Sequence, residues 1–227
     1  MILICAHRGD SGRFPPNTWD AFHGAGEAGA DMCETDVQMT RDGALVVHHD
    51  YDIDGQLIRM MGLNDFQRCA PQSPTVADLI EWAHGCRMRL LLEIKDADAS
   101  AKLARLLPRQ AADFVVVGSF HAGALQAFRK VRQDVPISLM LGSVIDAEEA
   151  IGLAHRYECS WVHPCWEARD PWPHRLLAGF AEHVKSAGLE LMVWHEERPS
   201  ELQHIMEYEP SGICTNTPSL LSQLLGR

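Results

Sequence analysis

Short apolar runs alternate with longer amphipathic stretches along almost the whole chain. The short runs are typical of β-strands, and the stretches between them have the periodicity of helices. The eight strand-like runs begin at Ile2, Met32, Arg89, Phe114, Pro136, Ser160, Glu190 and Gly212. Near-continuous apolar strands separated by helices indicate a parallel sheet that is covered on both faces.

The helices are predicted from their caps and from the Pro and Gly residues around them. Asn17 or Thr18 is expected to cap the first helix, which runs to about Gly29. Asp78 stands at the capping-box position of a second helix, which begins at Thr75. The other helices are predicted from about Ser100 to Arg109, His121 to Val131, Asp146 to Tyr157 and His174 to Ala187, and from Ser200 and Pro218 onward.

Eight strand–helix units in 227 residues predict a (β/α)8 TIM barrel, a single domain over residues 1–227. A doubly wound open sheet is the competing architecture. It would need a glycine-rich phosphate loop after the first strand, and Gly9 and Gly12 lack the required spacing. The run Ala44–His48 is interpreted as an extra piece that extends the second strand. Residues 51–73 have weak periodicity and are predicted to form a short irregular insertion.

Composition and charge exclude several classes of partner. The chain is 46% hydrophobic and 22% charged, as in a soluble globular protein, and its net charge is −11. This charge repels nucleic acid and anionic membranes, so neither is an expected partner. The chain has no apolar window of about eighteen residues, and the run Met1–Ala6 is too short for a signal peptide. A cytoplasmic protein without membrane insertion is therefore predicted.

The seven cysteines are an odd number and include no CxxC pair. Cys5, Cys33 and Cys214 lie in apolar, strand-like runs, where free thiols behave as small hydrophobic side chains. We therefore expect reduced, buried cysteines rather than a disulfide framework or a zinc site.

Paired charges mark the second and third strands. Glu34 and Asp36 are two residues apart, so they point to the same side of their strand, and Glu93 and Lys95 repeat this spacing. In a barrel these residues would meet at the C-terminal ends of the strands, where barrel active sites lie. Three carboxylates from neighbouring strands would suit a hard divalent cation, which prefers oxygen ligands.

Other polar residues also follow the predicted strands. His7 and His49 flank the carboxylate pair in sequence and could carry protons. Further polar residues at strand ends are Ser119, His163, His195, Thr215 and Asn216. A structural explanation is available for residues taken alone: Glu93 could pair with Lys95 or Arg8, and His163 and His195 could simply be polar strand ends.

A series of ordered motifs resembles the glycerophosphodiester phosphodiesterase family over nearly the whole chain. The first fifty residues contain His7-Arg8-Gly9, Pro15-Pro16-Asn17-Thr18, Ala21-Phe22, Gly29-Ala30-Asp31, Glu34-Thr35-Asp36-Val37, Thr40-Arg41-Asp42-Gly43 and Val46-Val47-His48-His49-Asp50. The later matches are Pro74-Thr75, Glu93-Ile94-Lys95, Ser119-Phe120, Trp194, and Gly212 through Pro218.

This resemblance implies a (β/α)8 barrel that hydrolyses glycerophosphodiesters to glycerol 3-phosphate and an alcohol. It implies a divalent cation, Mg2+ or Ca2+, held by Glu34, Asp36 and Glu93. It also implies that His7 and His49 are the acid–base pair, without assigning which is the acid.

The same resemblance implies that Arg8 and Lys95 lie near the phosphate, with Trp194 as a further substrate contact. Arginine suits a bidentate phosphate contact and lysine a point-charge contact. The expected partner is thus a small-molecule phosphodiester, and the oligomeric state is left open.

The chain departs from the family pattern at four places. Pro16 stands where the family usually has Glu, and residues 51–55 replace a common Arg-Thr-Thr segment. His195 and Asn216 stand where Thr and Asp are frequent. These differences leave the alcohol part of the substrate undetermined.

Two other functions remain open. A related phosphodiesterase could act on lysophospholipids in the manner of a lysophospholipase D, and Trp166, Trp172 and Trp194 are compatible with an apolar mouth. An exposed apolar patch around Pro164–Pro173 would favour this function. A non-catalytic barrel that binds phosphate or a metabolite is the third alternative, because a fold alone does not establish catalysis.

Overall fold

Eight parallel strands close into a barrel in the computed structural model. The structure describes residues 1–166 and 176–227, and between them only the backbone of the ladder of Ala168–Arg169 with Trp172–Pro173. The barrel strands are Leu3–His7, Met32–Met39, Arg89–Ile94, Val115–Ser119, Ile137–Leu141, Trp161–Pro164, Glu190–Val193 and Gly212–Thr215. The first strand pairs with both the second and the last, which closes the sheet. The predicted (β/α)8 barrel is confirmed.

Each barrel strand is followed by a helix that packs on the outside of the sheet. In chain order, these described helices are Trp19–Glu27, Val76–Cys86, Ala97–Leu106, Ala122–Arg129, Ala147–Arg156, Phe180–Ser186, Pro199–Met206 and Pro218–Leu224. In the described ranges no helix is long and apolar enough to cross a membrane.

Strand alternation divides the buried side chains into two layers. Cys33 and Val37 belong to the large core between the sheet and the helices. Met32 points the other way, into a smaller cluster inside the barrel with Cys5, Leu91, Val116, Trp161, Met192 and Cys214. Since Glu34 and Asp36 keep the alternation of Met32, they also face the interior, above this apolar floor. Cys5, Cys33 and Cys214 are buried thiols, as expected.

Three predicted helix limits differ from the structure for local reasons. The helix after the third strand begins at Ala97 rather than Ser100, because the Asp96 side chain accepts a hydrogen bond from the backbone N–H of Asp98 (3.0 Å). It ends before Pro108, and the residues Arg109–Asp113 form a 3-10 turn. The helix predicted from His174 begins only at Phe180, after Gly179 in the left-handed conformation; His174 lies outside the described residues.

The region after the second strand contains more regular structure than its sequence pattern indicated. Leu45–Val47 is an antiparallel partner of the second strand's last residues, not an extension of that strand. A hairpin of Asp52–Ile53 with Gln56–Leu57, a 3-10 turn at Ile58–Met60 and a helix at Leu63–Cys69 follow. A small core of Val46, Ile58 and Phe66 holds this region together.

Candidate active site

Three carboxylates converge at the C-terminal end of the barrel. Glu34 and Asp36 come from the second strand, and Glu93 lies beside Asp36 in the register of the third strand. All three are buried, and one oxygen from each lies within 4.8 Å of the others. Burial and mutual repulsion disfavour the ionised forms, which raises the pKa of Glu34 well above its ordinary value and that of Glu93 to about 7.

Asp36 is the carboxylate with the most cationic surroundings. The Lys95 Nζ atom lies 2.9 Å from Asp36 Oδ1 and 2.8 Å from Glu93 Oε1, and the Arg8 Nε atom lies 3.4 Å from Asp36 Oδ2. The Asn17 side-chain amide also donates to Asp36 Oδ2 (2.7 Å). Burial opposes ionisation, but Lys95 and Arg8 outweigh it and hold the pKa of Asp36 below its ordinary value.

Glu34 has an unused ligand atom. Its Oε2 atom accepts a hydrogen bond from the backbone N–H of Arg8 (3.1 Å). Its Oε1 atom is buried and has no hydrogen-bond partner in the part of the chain that the structure describes. Leaving such an atom unpaired is costly, and an all-oxygen set of three carboxylates is the kind that Mg2+ and Ca2+ prefer. The residues present therefore fit a divalent cation.

His7 lies at the edge of this cluster and is held on two sides. Its Nε2 atom is 3.9 Å from Glu34 Oε2, and its Nδ1 atom is 2.7 Å from Asn216 Oδ1. Its ring stacks on His195 with a centroid separation of 4.6 Å. Burial, with a further contribution from the Arg8 charge, lowers the pKa of His7 to about 3, so the imidazole is neutral.

His49 lies nearer the mouth of the barrel. Its Nδ1 atom is 2.7 Å from Asp50 Oδ1, and 41% of its side chain is exposed. The Gln38 amide donates to the backbone carbonyls of His48 (2.9 Å) and Asp50 (2.5 Å), so the second strand fixes the path of this segment. His49 and His7 line the same cavity.

The predicted site residues share one cavity of about 90 Å3. Seven of the eight line it, namely His7, Arg8, Glu34, His49, Glu93, Lys95 and Trp194, and Asp36 lies in the carboxylate cluster beside it. Their individual roles remain predictions. A larger, open groove of about 860 Å3 beside Lys102 and Arg105 contains none of them, so size alone does not locate the site.

The side of the cavity away from the carboxylates is largely apolar. Phe120, Met140 and Trp194 line it, and the rings of Phe120 and Trp194 meet edge to face at 5.3 Å. The indole N–H of Trp194 donates to the backbone carbonyl of His163 (3.1 Å), which holds the ring in place.

Asn17 is a site residue that the sequence reasoning did not identify. Thr18 caps the first helix by accepting from the backbone N–H of Ala21 (3.3 Å), whereas Asn17 is buried with φ of 61°. Its side chain joins Asp36 to Thr35, whose hydroxyl donates to Asn17 Oδ1 (2.8 Å). The available signal was an Asn after two prolines, since Asn is among the few residues that tolerate positive φ.

Known proteins resemble this chain over nearly its whole length. The family model described as "Glycerophosphoryl diester phosphodiesterase family" matches residues 7–220. A glycerophosphodiester phosphodiesterase from Caldanaerobacter subterraneus subsp. tengcongensis is 26% identical, and the alignment covers 98% of this chain and 97% of that protein. A lysophospholipase D from Mus musculus is 43% identical, with coverage of 100% and 82%.

A solved structure has the same fold. The Oleispira antarctica phosphodiesterase in complex with the product sn-glycerol-3-phosphate matches with a TM-score of 0.84 and 20% identity, covering 99% of this chain and 97% of that one. The resemblance first indicated by the ordered motifs is confirmed by the family match. This chain belongs to the glycerophosphoryl diester phosphodiesterase family.

Proposed function

We propose that this protein hydrolyses glycerophosphodiesters to glycerol 3-phosphate and an alcohol with the help of a bound divalent cation. The observation that carries the proposal is a cluster of three carboxylates, one with an unpaired buried oxygen, at a cavity that two histidines also line. Family membership and the named activities of the relatives support the same reaction.

Glu34, Asp36 and Glu93 would hold the cation, Mg2+ or Ca2+. When bound, the ion supplies positive charge beside the non-bridging oxygens of the phosphodiester. Arg8 and Lys95 add fixed positive charge at the same place. Although burial opposes protonation of Lys95, its contacts with Asp36 and Glu93 raise its pKa above the ordinary value, so it stays charged.

The two histidines would divide the proton transfers. His7 is buried and neutral, so it can accept a proton from the attacking hydroxyl group or water. His49 is more exposed and is paired with Asp50 near the mouth, where it can give a proton to the alcohol that leaves. The leaving alcohol then has a short path to solvent.

The direct test is hydrolysis of glycerophosphocholine with Mg2+ or Ca2+ and with EDTA. We expect activity to disappear on chelation and in Glu34→Gln, whereas Glu148→Gln, on an exposed helix surface, should keep it. In calorimetry, Glu34→Gln should also bind the cation more weakly than the wild type. Loss of a proton carrier typically costs ~10^2- to 10^4-fold in rate, and His49→Ala should fall in this range.

Two outcomes would overturn this proposal. If EDTA leaves wild-type hydrolysis unchanged and the Glu34→Gln protein hydrolyses the substrate at the wild-type rate, the cation has no role in the reaction. Tight binding of the diester without turnover under several divalent ions would favour the non-catalytic barrel, although the described site keeps every expected catalytic residue.

A lysophospholipid is the second candidate substrate, because Phe120, Met140 and Trp194 form an apolar side of the cavity and Phe120 is 37% exposed. Trp166 does not contribute to this side, since it is fully buried and its indole N–H donates to Glu201 (3.1 Å). The side chains of residues 167–173, including that of Trp172, lie outside the described part of the structure, so the expected apolar patch there is not tested. A higher kcat/KM for lysophosphatidylcholine than for glycerophosphocholine would establish this candidate, and the reverse ratio would exclude it.

A further inference from the structure

Two residues at which the chain departs from its family pattern lie directly against His7. The ring of His195 stacks on the imidazole of His7 with an interplanar angle of 18°. Asn216 approaches His7 from the side opposite the carboxylates, with Asn216 Oδ1 2.7 Å from His7 Nδ1. The two residues also approach each other, with Asn216 Nδ2 3.4 Å from His195 Nδ1.

Asn216 is itself held by other contacts. Its backbone N–H donates to Glu197 Oε1 (3.0 Å), and the same oxygen lies 3.0 Å from His195 Nδ1. The Ser11 hydroxyl lies 2.8 Å from Asn216 Oδ1 and 2.7 Å from the backbone carbonyl of His7. The loop after the first strand therefore holds the side chain of Asn216, and the loop after the seventh strand holds its backbone.

This contact determines which nitrogen of His7 carries the proton. An amide oxygen only accepts hydrogen bonds, so Nδ1–H of His7 donates to Asn216 Oδ1. In a neutral imidazole the other nitrogen then has a free lone pair, and Nε2 is the atom that faces Glu34 and the cavity.

We propose that Asn216 is a positioning residue that holds the His7 ring against His195 and keeps its proton on Nδ1, so that Nε2 is the atom that accepts a proton. This inference rests on the proposed function, because it deepens the role of His7 in that reaction. Asn216 acts through His7: it does not line the cavity, and the hydrogen-bond contacts of its side chain within the described residues are with His7, Ser11 and His195.

The experiment compares Asn216→Leu with Asn216→Asp. Leucine removes the acceptor, while an aspartate carboxylate keeps it, and both variants retain the backbone contact with Glu197. We expect Asn216→Leu to lower kcat roughly 10- to 100-fold, with KM nearly unchanged. This is the range for residues that orient a functional histidine through a hydrogen bond to its other ring nitrogen. Asn216→Asp should recover most of the wild-type kcat.

A double-mutant cycle with His7→Ala separates this role from a general effect on the fold. If Asn216 acts through His7, Asn216→Leu should lower kcat no further in the His7→Ala protein. Thermal unfolding of each variant measures the change in stability independently of rate.

The results that contradict the positioning role differ from those that contradict the proposed function. If Asn216→Asp is as slow as Asn216→Leu, or if Asn216→Leu slows wild type and His7→Ala equally, the positioning role is wrong and the proposed hydrolysis stands. If His7→Ala itself keeps full activity, the acid–base part of the proposed function is wrong.

Discussion

Replacing Asn17 by glycine should destabilise the barrel at the point where the first helix meets the carboxylate cluster. The side chain of Asn17 makes two hydrogen bonds in a buried environment. Its amide N–H donates to Asp36 Oδ2 (2.7 Å), and its oxygen accepts from the Thr35 hydroxyl (2.8 Å). Glycine removes both bonds and leaves both partners buried.

The magnitude follows from the charge of one partner. A hydrogen bond to a charged group contributes about 1.5–3 kcal/mol and one between neutral groups about 0.5–1.5 kcal/mol, so Asn17→Gly should cost about 2–4.5 kcal/mol. Alanine should cost more than glycine, because Asn17 has φ of 61°. A side chain in this left-handed region costs about 1–2 kcal/mol relative to glycine.

Urea unfolding of the purified variants measures these differences. Asp54→Gly is a matched control, since Asp54 also has positive φ (53°) but is exposed in a turn. It should stay within about 0.5 kcal/mol of wild type, as surface substitutions generally do. Unfolding of Asn17→Gly at the same urea concentration as wild type would mean that the two hydrogen bonds do not stabilise the fold. An Asn17→Ala protein more stable than Asn17→Gly would contradict the cost assigned to positive φ.

Three further predictions concern stability, each measured by urea unfolding. Burial opposes ionisation of Asp31, but the paired Arg227 outweighs burial and lowers the pKa of Asp31. The ion pair therefore stabilises the fold at pH values above the ordinary carboxyl pKa, and this stabilisation is lost as the pH falls through the lowered pKa. Arg227→Ala should therefore cost about 0.5–1 kcal/mol at neutral pH and nothing in acid; an equal cost at both would contradict this. His163→Leu should stabilise the fold by about 1 kcal/mol, because both ring nitrogens of His163 are buried without a partner among the described residues. Destabilisation by this substitution would mean that the two nitrogens are paired in solution. Gly9→Ala should cost about 3 kcal/mol or more, since its Cβ would lie 2.5 Å from the backbone of the first helix. Gly29 has a similar φ but more space around it, so Gly29→Ala should cost about 1–2 kcal/mol. Equal costs for Gly9→Ala and Gly29→Ala would refute the steric explanation.

The barrel and the carboxylate cluster could be predicted because both follow from periodicity. Eight apolar runs alternating with helices indicate a closed parallel sheet, and period-two spacing puts Glu34, Asp36 and Glu93 on the inner face. The helix Leu63–Cys69 was missed because it is only seven residues long and its N-cap residue, Gly62, has no side chain. The backbone N–H of Leu63 instead donates to the carboxylate of Asp42, which is distant in sequence. Such a helix depends on tertiary contacts rather than on a local signal.

The contacts of His7 could not be predicted from any local pattern. Asn216 is 209 positions away in sequence, and the two meet only because the first and last strands pair to close the barrel. The contacts of Lys95 could not be predicted either. Its spacing indicates the inner face, but a contact with the phosphate and a bridge between Asp36 and Glu93 are equally compatible with that spacing, and only the folded structure shows the bridge.

The charge balance of the site argues for a diester rather than a monoester as its occupant. Glu34, Asp36 and Glu93 supply three negative charges when ionised, while Lys95 and Arg8 supply two positive charges, which leaves one negative charge in a buried place. Burial, together with repulsion from Asp36, raises the pKa of Glu34 and of Glu93, so negative charge is costly at this place. A divalent cation would convert the excess into one positive charge, which a singly charged phosphodiester neutralises. A phosphomonoester product, with up to two negative charges near neutral pH, would leave the buried site negative again and would therefore be held less firmly than the substrate.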